Sequence, residues 1–78
     1  MITVYSKYDC KNCKQTKRML KFANLEFVER NVQDDAEALD FVKNELGFTN
    51  LPVIVADNVE PFQYNKDKVA EFIKEFRK

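Results

Sequence analysis

Cys10 and Cys13 are the only thiols in this 78-residue chain, and they stand together as Cys10-Lys11-Asn12-Cys13. The run before them, Ile2-Thr3-Val4-Tyr5, is β-branched and aromatic, and the run after them, Lys14 to Ala23, is rich in helix formers. The pair therefore falls where a strand gives way to a helix. Cys10 lies at or just outside the first helical turn, where unpaired backbone N–H groups and the positive end of the helix dipole favour a thiolate. Cys13 follows one turn later on the same face, within reach of a disulfide with Cys10. Such a pair performs reversible two-electron thiol–disulfide exchange. Cys10, the more exposed and the nearer to the helix start, is the expected attacking thiolate. Cys13, on the packed face, is the expected resolving thiol.

Other uses of two cysteines fit less well. A closed zinc site needs four ligands, and the chain has no histidine and no further cysteine, so neither a metal nor another cofactor is expected. A structural disulfide over this spacing closes too short a loop to stabilise much. The chain lacks an apolar run long enough to span a membrane and lacks an export signal, so the expectation is a cytoplasmic protein, in a compartment where structural disulfides are unusual. With no imidazole available as a base, activation of the thiolate falls to the helix terminus and to Lys7 and Lys11. Each lysine has an equally good reading as a plain solvated charge.

Composition bounds the rest. The length suits a single domain over residues 1–78, and a hydrophobic content of 45% supports one modest core. Thirteen Lys and Arg against thirteen Asp and Glu leave no net charge, which removes the overall electrostatic footprint of a nucleic-acid binder. Charge is nonetheless segregated. Lys11, Lys14, Lys17, Arg18 and Lys21 crowd the first helix, whereas Asp34, Asp35, Glu37 and Asp40 crowd the second. Most of these are read as solvated helix faces. The expected state is a monomer with neither nucleic-acid nor membrane partners.

The elements that must position the dithiol follow from periodicity. Residues 2–5 are apolar on both faces, as in a central strand covered on each side. A first helix is predicted from about Asn12 to Ala23, with Cys13, Thr16, Leu20 and Ala23 on one stripe and Asn24 as its stop. Residues 26–32 suit a second strand near a sheet edge. Asp34 or Asp35 caps a second helix in which Leu39, Val42 and Leu46 recur at helical spacing, ended by Gly47, the only glycine. Leu51-Pro52-Val53-Ile54-Val55-Ala56 reads as a strand opened by proline, and Asp57-Asn58 turns the chain back into Val59 to Phe62, held to an edge by Pro61. Asn65 caps a last helix carrying Val69, Phe72, Ile73 and Phe76. Tyr5, Phe22, Phe27 and Phe72 are read as core, and Tyr8 and Tyr64 as an apolar rim beside the dithiol. The order βαβαββα gives an α/β fold with a four-stranded mixed sheet and three helices distributed over both faces.

At this point the chain resembles glutaredoxin-like proteins of the thioredoxin-fold superfamily, most closely the NrdH-redoxins. The residues that carry the resemblance are Ile2-Thr3-Val4-Tyr5-Ser6-Lys7 leading into Cys10-Lys11-Asn12-Cys13, and Gly47-Phe48-Thr49-Asn50-Leu51-Pro52-Val53-Ile54. The resemblance implies a cis-proline loop facing the dithiol, which falls on Leu51-Pro52. Asn50 and Leu51 would then offer backbone groups to an extended substrate peptide. It also implies an electron donor to class Ib ribonucleotide reductase that is itself reduced by thioredoxin reductase. Several positions depart from the family pattern. Tyr8 stands where many relatives have proline, Lys11-Asn12 replaces Val-Gln, and Pro61-Phe62-Gln63-Tyr64-Asn65-Lys66-Asp67 replaces a segment that commonly reads Trp-Ser-Gly-Phe-x-Pro-Asp. Ordinary glutaredoxins hold glutathione partly through a glycine pair after the third strand. Here Asp57-Asn58-Val59-Glu60 has no glycine and two acids, so a glutathione-dependent glutaredoxin is the second reading. A third is a redox-sensing regulator of RNA polymerase similar to the Spx proteins. It is disfavoured because only Gly47 to Leu51 occupies the place of their inserted helices.

Overall fold

The computed structural model describes residues 1–76. Its elements are β1 (Ile2–Ser6), α1 (Lys11–Phe22), β2 (Val28–Asn31), α2 (Ala36–Asp40), β3 (Val53–Ala56), β4 (Val59–Gln63) and α3 (Lys66–Phe76). A π-helical turn over Phe41–Glu45 continues α2. The strands form one sheet in the order β2-β1-β3-β4, with β1 parallel to β2 and antiparallel to β3, and β3 antiparallel to β4. The parallel pair requires the α1 crossover, and the Asp57-Asn58 turn makes the hairpin, with Asn58 at φ 63°. Pro61 lies in β4, at the edge, where a missing N–H disturbs no inner ladder.

Alternation along the two inner strands divides the core. Ile2 and Val4 of β1 and Ile54 and Ala56 of β3 point to one face, where they pack with Leu20 of α1 and Val69 and Phe72 of α3. Tyr5 and Val53 point to the other and pack with Val32, Ala38 and Val42 beneath α2. With helices on both faces, β1 has no wet side. Its residues Ile2, Val4 and Tyr5 are all buried.

Each helix is bounded by the residue types that satisfy its free ends. Asn24, at φ 60°, takes the left-handed position after α1, and Leu25 N–H donates to the Leu20 carbonyl while Asn24 N–H donates to that of Lys21. This pairing is a Schellman stop. Asp35 caps α2 by accepting from Ala38 N–H at 3.1 Å, and Asn65 caps α3 by accepting from the Asp67 and Lys68 N–H groups. Gly47 stands at φ +71°, the conformation for which it is suited.

Two expectations about the core are corrected. Phe22 is 92% exposed, because it follows buried Leu20 by two residues and so falls on the far side of α1. Leu39 is 44% exposed, and the buried stripe of α2 runs instead through Ala38 and Val42, flanked by Phe41 and Leu46. The Leu39-Val42-Leu46 repeat assumes regular α-helical winding. The π-helical turn widens it, with Leu46 N–H reaching back five residues to the Phe41 carbonyl. Two strands are also displaced from their predicted limits, β2 being shorter and β3 beginning only at Val53.

Candidate functional site: the Cys10–Cys13 dithiol

Cys10 is the N-cap residue of α1, extended at φ −112° and ψ 107°. Its sulfur takes the place that a Ser or Asp oxygen usually fills, accepting the N–H of Cys13 at 3.1 Å. A free helix donor thus points at sulfur, which favours negative charge there when the pair is reduced. Asp9 makes the sharp entry possible at φ 54°, a left-handed conformation that aspartate tolerates better than most residues. Cys10 and Cys13 are joined in a disulfide, with Cα atoms 5.2 Å apart. Cys13 is buried on the inner stripe of α1 at 1% exposure, and Cys10 is slightly more open at 7%.

The Leu51–Pro52 peptide is cis, and the Leu51 carbonyl oxygen lies 3.9 Å from Cys10 Sγ. The loop before β3 therefore meets the start of α1 across the end of β1, as the family resemblance implies. Asn50 is exposed beside this contact, and its N–H donates to Gln63 Oε1 of β4 at 3.3 Å. Of the two residues expected to offer backbone groups, Asn50 has its N–H engaged by a side chain.

A shallow concavity beside the sulfurs is lined by Lys7, Tyr8, Lys14, Lys17, Glu29 and Asp34 together with both cysteines. Lys7 is exposed there. Tyr8 is 58% exposed, with its N–H donating to Gln33 Oε1 at 2.9 Å and its hydroxyl to an Asp34 carboxylate oxygen. That hydrogen bond, with the negative charge of Asp34, raises the phenol's pKa. Tyr64 is placed elsewhere, packed against the Ile2-Val4-Leu20-Ile54 core on the α1/α3 face.

Two further polar clusters near the dithiol have no signature in the sequence. Ser6, 1% exposed at the end of β1, donates to Glu29 Oε2 at 2.6 Å, and Lys17 Nζ reaches the same oxygen at 2.7 Å. These two partners, Lys17 first, hold the Glu29 carboxyl below its usual range. Arg30 donates to Asp35 through Nε and Nη2 while lying 5.9 Å from the Tyr5 ring centre. The pair raises the Arg30 pKa and, with the Ala38 N–H, lowers that of Asp35. Only the parallel pairing that sets Tyr5 beside Arg30 and Val4 beside Glu29 brings these residues together. Among the described residues, no group of three or more His, Cys, Asp and Glu side chains could hold a metal ion. Nor is any helix there long and apolar enough to cross a membrane.

A mixed sheet of this order with a Cys-x-x-Cys pair capping α1 defines a thioredoxin-fold dithiol–disulfide oxidoreductase. The chain belongs to the glutaredoxin family, whose profile it matches over residues 2–60. It is 36% identical over 73 residues to the Gene 56 protein of Mycobacterium phage D29, covering 92% of this chain and 81% of that protein. It is 40% identical over 58 residues to the glutaredoxin-like protein NrdH of Lactococcus lactis subsp. cremoris, covering 74% and 79%. The structure is similar to that of the NrdH-redoxin of Escherichia coli, with a TM-score of 0.79 at 30% identity over 90% of this chain and 91% of the other.

Proposed function

We propose that the protein is an NrdH-like electron donor of the cytoplasm, acting as a monomer, that reduces a disulfide in class Ib ribonucleotide reductase and is restored by thioredoxin reductase. The observation that carries this reading is Cys10 Sγ at the α1 N-cap, less buried than Cys13 and in contact with the Leu51 carbonyl. The Cys10 thiolate attacks one sulfur of the target disulfide, forming a mixed disulfide and expelling the other target sulfur as a thiolate. Cys13 then attacks Cys10 Sγ, the bond to the target breaks, and the target leaves with both of its sulfurs reduced. Lys7, Tyr8, Asn50, Leu51 and Pro52 form the substrate-binding surface in this reading, and Tyr64, packed against the α1/α3 core, is left out of it. Lys7 and Tyr8 line the concavity beside the sulfurs. Leu51 meets Cys10 through its carbonyl oxygen, and the Leu51-Pro52 loop can receive an extended peptide.

Thioredoxin reductase is favoured over glutathione by the likeness to NrdH-type proteins; the Asp57-Asn58 turn, where Asp57 accepts from the Met1 amino group, stands at the far end of β1 from the dithiol and bears on neither reductant. The described relative from Escherichia coli is itself a glutaredoxin-like protein with a thioredoxin-like activity profile. The deciding experiment compares turnover of purified protein with NADPH and thioredoxin reductase against NADPH, glutathione and glutathione reductase. Faster turnover with thioredoxin reductase is expected. An equal or faster rate with the glutathione system returns the chain to the ordinary glutaredoxins.

A further inference from the structure

One buried side-chain polar atom among the described residues has no hydrogen-bond partner, the hydroxyl oxygen of Thr16. The residue has no exposed surface. Burying a hydroxyl unpaired opposes folding, and valine would fill almost the same space without that penalty. A helical threonine ordinarily escapes the penalty by donating to a carbonyl one turn back, and Thr16 does not. The hydroxyl is thus idle in the disulfide form.

Its neighbour along α1 explains why an idle donor is useful. Cys13, Thr16 and Leu20 are the buried stripe of the helix, and Thr16 follows Cys13 by one turn. Side chains so spaced have Cβ atoms about 5–6 Å apart, close enough for sulfur and hydroxyl oxygen to meet. In the disulfide, Cys13 Sγ is committed to Cys10. Reduction releases it, and a change of staggered rotamer then displaces the sulfur by roughly 3 Å. The other polar groups around the pair are spoken for or solvated: Lys17 and Ser6 serve Glu29, Tyr8 serves Asp34, and Lys7 and Lys14 are exposed.

We propose that Thr16 is a positioning residue of the dithiol form, its O–H donating to Cys13 Sγ once the Cys10–Cys13 bond has opened. For the resolving step this rests on the assignment of Cys13 under the proposed function. There the Cys13 sulfur supplies the electron pair of the new Cys13–Cys10 bond, the bond from Cys10 to the target sulfur breaks, and the target leaves as a thiolate. The proton of Cys13 passes to solvent, and Thr16 keeps its own. The hydroxyl raises the fraction of Cys13 present as thiolate and stabilises the dithiol relative to the disulfide.

Thr16→Val and Thr16→Ser test the proposal in the full-length protein, with two readouts. The first is the redox equilibrium against dithiothreitol. Thr16→Val is expected to favour the disulfide by about tenfold, equivalent to about 30 mV for a two-electron couple, and Thr16→Ser to restore the wild-type value. The second is the reaction with an aromatic disulfide that releases a coloured thiolate on attack by Cys10 and another on resolution by Cys13. The second release should slow several-fold in Thr16→Val and recover in Thr16→Ser. An unchanged equilibrium in Thr16→Val overturns the proposal, as does a shift that Thr16→Ser fails to reverse, since that would be an effect of shape. The equilibrium does not depend on which cysteine attacks. Loss of the second release in the wild type would therefore refute the division of roles between the cysteines while the equilibrium still judged Thr16.

Discussion

Ser6→Ala probes the polar contact that ties the end of β1 to β2 beside the dithiol. The Ser6 hydroxyl is buried and donates at 2.6 Å to Glu29 Oε2, which also receives Lys17 Nζ. A hydrogen bond to a charged group contributes roughly 1.5–3 kcal/mol when both partners are shielded. The Glu29 side chain is 38% exposed, so water replaces much of what Ser6 supplies. The expected loss is about 1 kcal/mol. For a domain of this size that lowers Tm by about 4–8 °C. The acid dependence follows from the same contact. Because Lys17 and Ser6 hold the folded Glu29 pKa below its unfolded value, their contribution is complete above the ordinary glutamate pKa and disappears as pH falls through the folded one. Thermal unfolding followed by circular dichroism at pH 7 and at pH 3 should therefore show a penalty for Ser6→Ala that is largest at pH 7 and shrinks in acid. Glu29→Gln, which cannot titrate, should give an acid limb flatter than that of the wild type. An equal penalty for Ser6→Ala at both pH values would refute the reasoning and assign the loss to packing of the buried oxygen.

Cys10→Ser should abolish disulfide reductase activity, whereas Cys13→Ser should retain targets as mixed disulfides visible on non-reducing gels. Iodoacetamide mapping of the reduced wild type by mass spectrometry should find Cys10 alkylated first, and faster labelling of Cys13 would reverse their roles. Leu20→Ala, at a site with no exposed surface between the sheet and α3, should cost about 2–5 kcal/mol in chemical denaturation. Phe22→Ala, two residues on and 92% exposed, should leave the denaturation midpoint nearly unchanged. Gly47→Ala meets no atom within 4 Å, so its cost should come from the left-handed backbone alone, about 1–2 kcal/mol by the same assay.

The dithiol was legible from the sequence because its determinants are local. A β-branched run, two cysteines one helical turn apart and a run of helix formers place sulfur at a helix N-cap without reference to the rest of the chain. Caps and stops were legible for the same reason: Asn24, Asp35 and Asn65 act on backbone groups only a few residues away. Two of the strand pairings also followed, the parallel β1–β2 pair from the crossover and the antiparallel β3–β4 pair from the two-residue turn, whereas the β1–β3 pairing that completes the order did not. Phe22 and Leu39 were misread because periodicity states which residues share a face, and only packing decides which face is covered. Beyond Leu39 the π-helical turn over Phe41–Glu45 further altered the period itself.

The sequence by itself determined the reactive pair, the helix that activates it and the family, all of which depend on residues close together in the chain or on an unbroken pattern of types. Tertiary structure alone decided what surrounds the sulfurs. The approach of Leu51 to Cys10 spans forty-one positions, and the contact of Ser6 with Glu29 spans twenty-three. Both exist because β1 pairs with β2 on one side and β3 on the other, fixing the register of distant side chains to within one residue. Thr16 belongs to the same class. Its type and spacing mark it only as part of a buried stripe, and that its hydroxyl finds no partner emerges only when every neighbouring atom is in place.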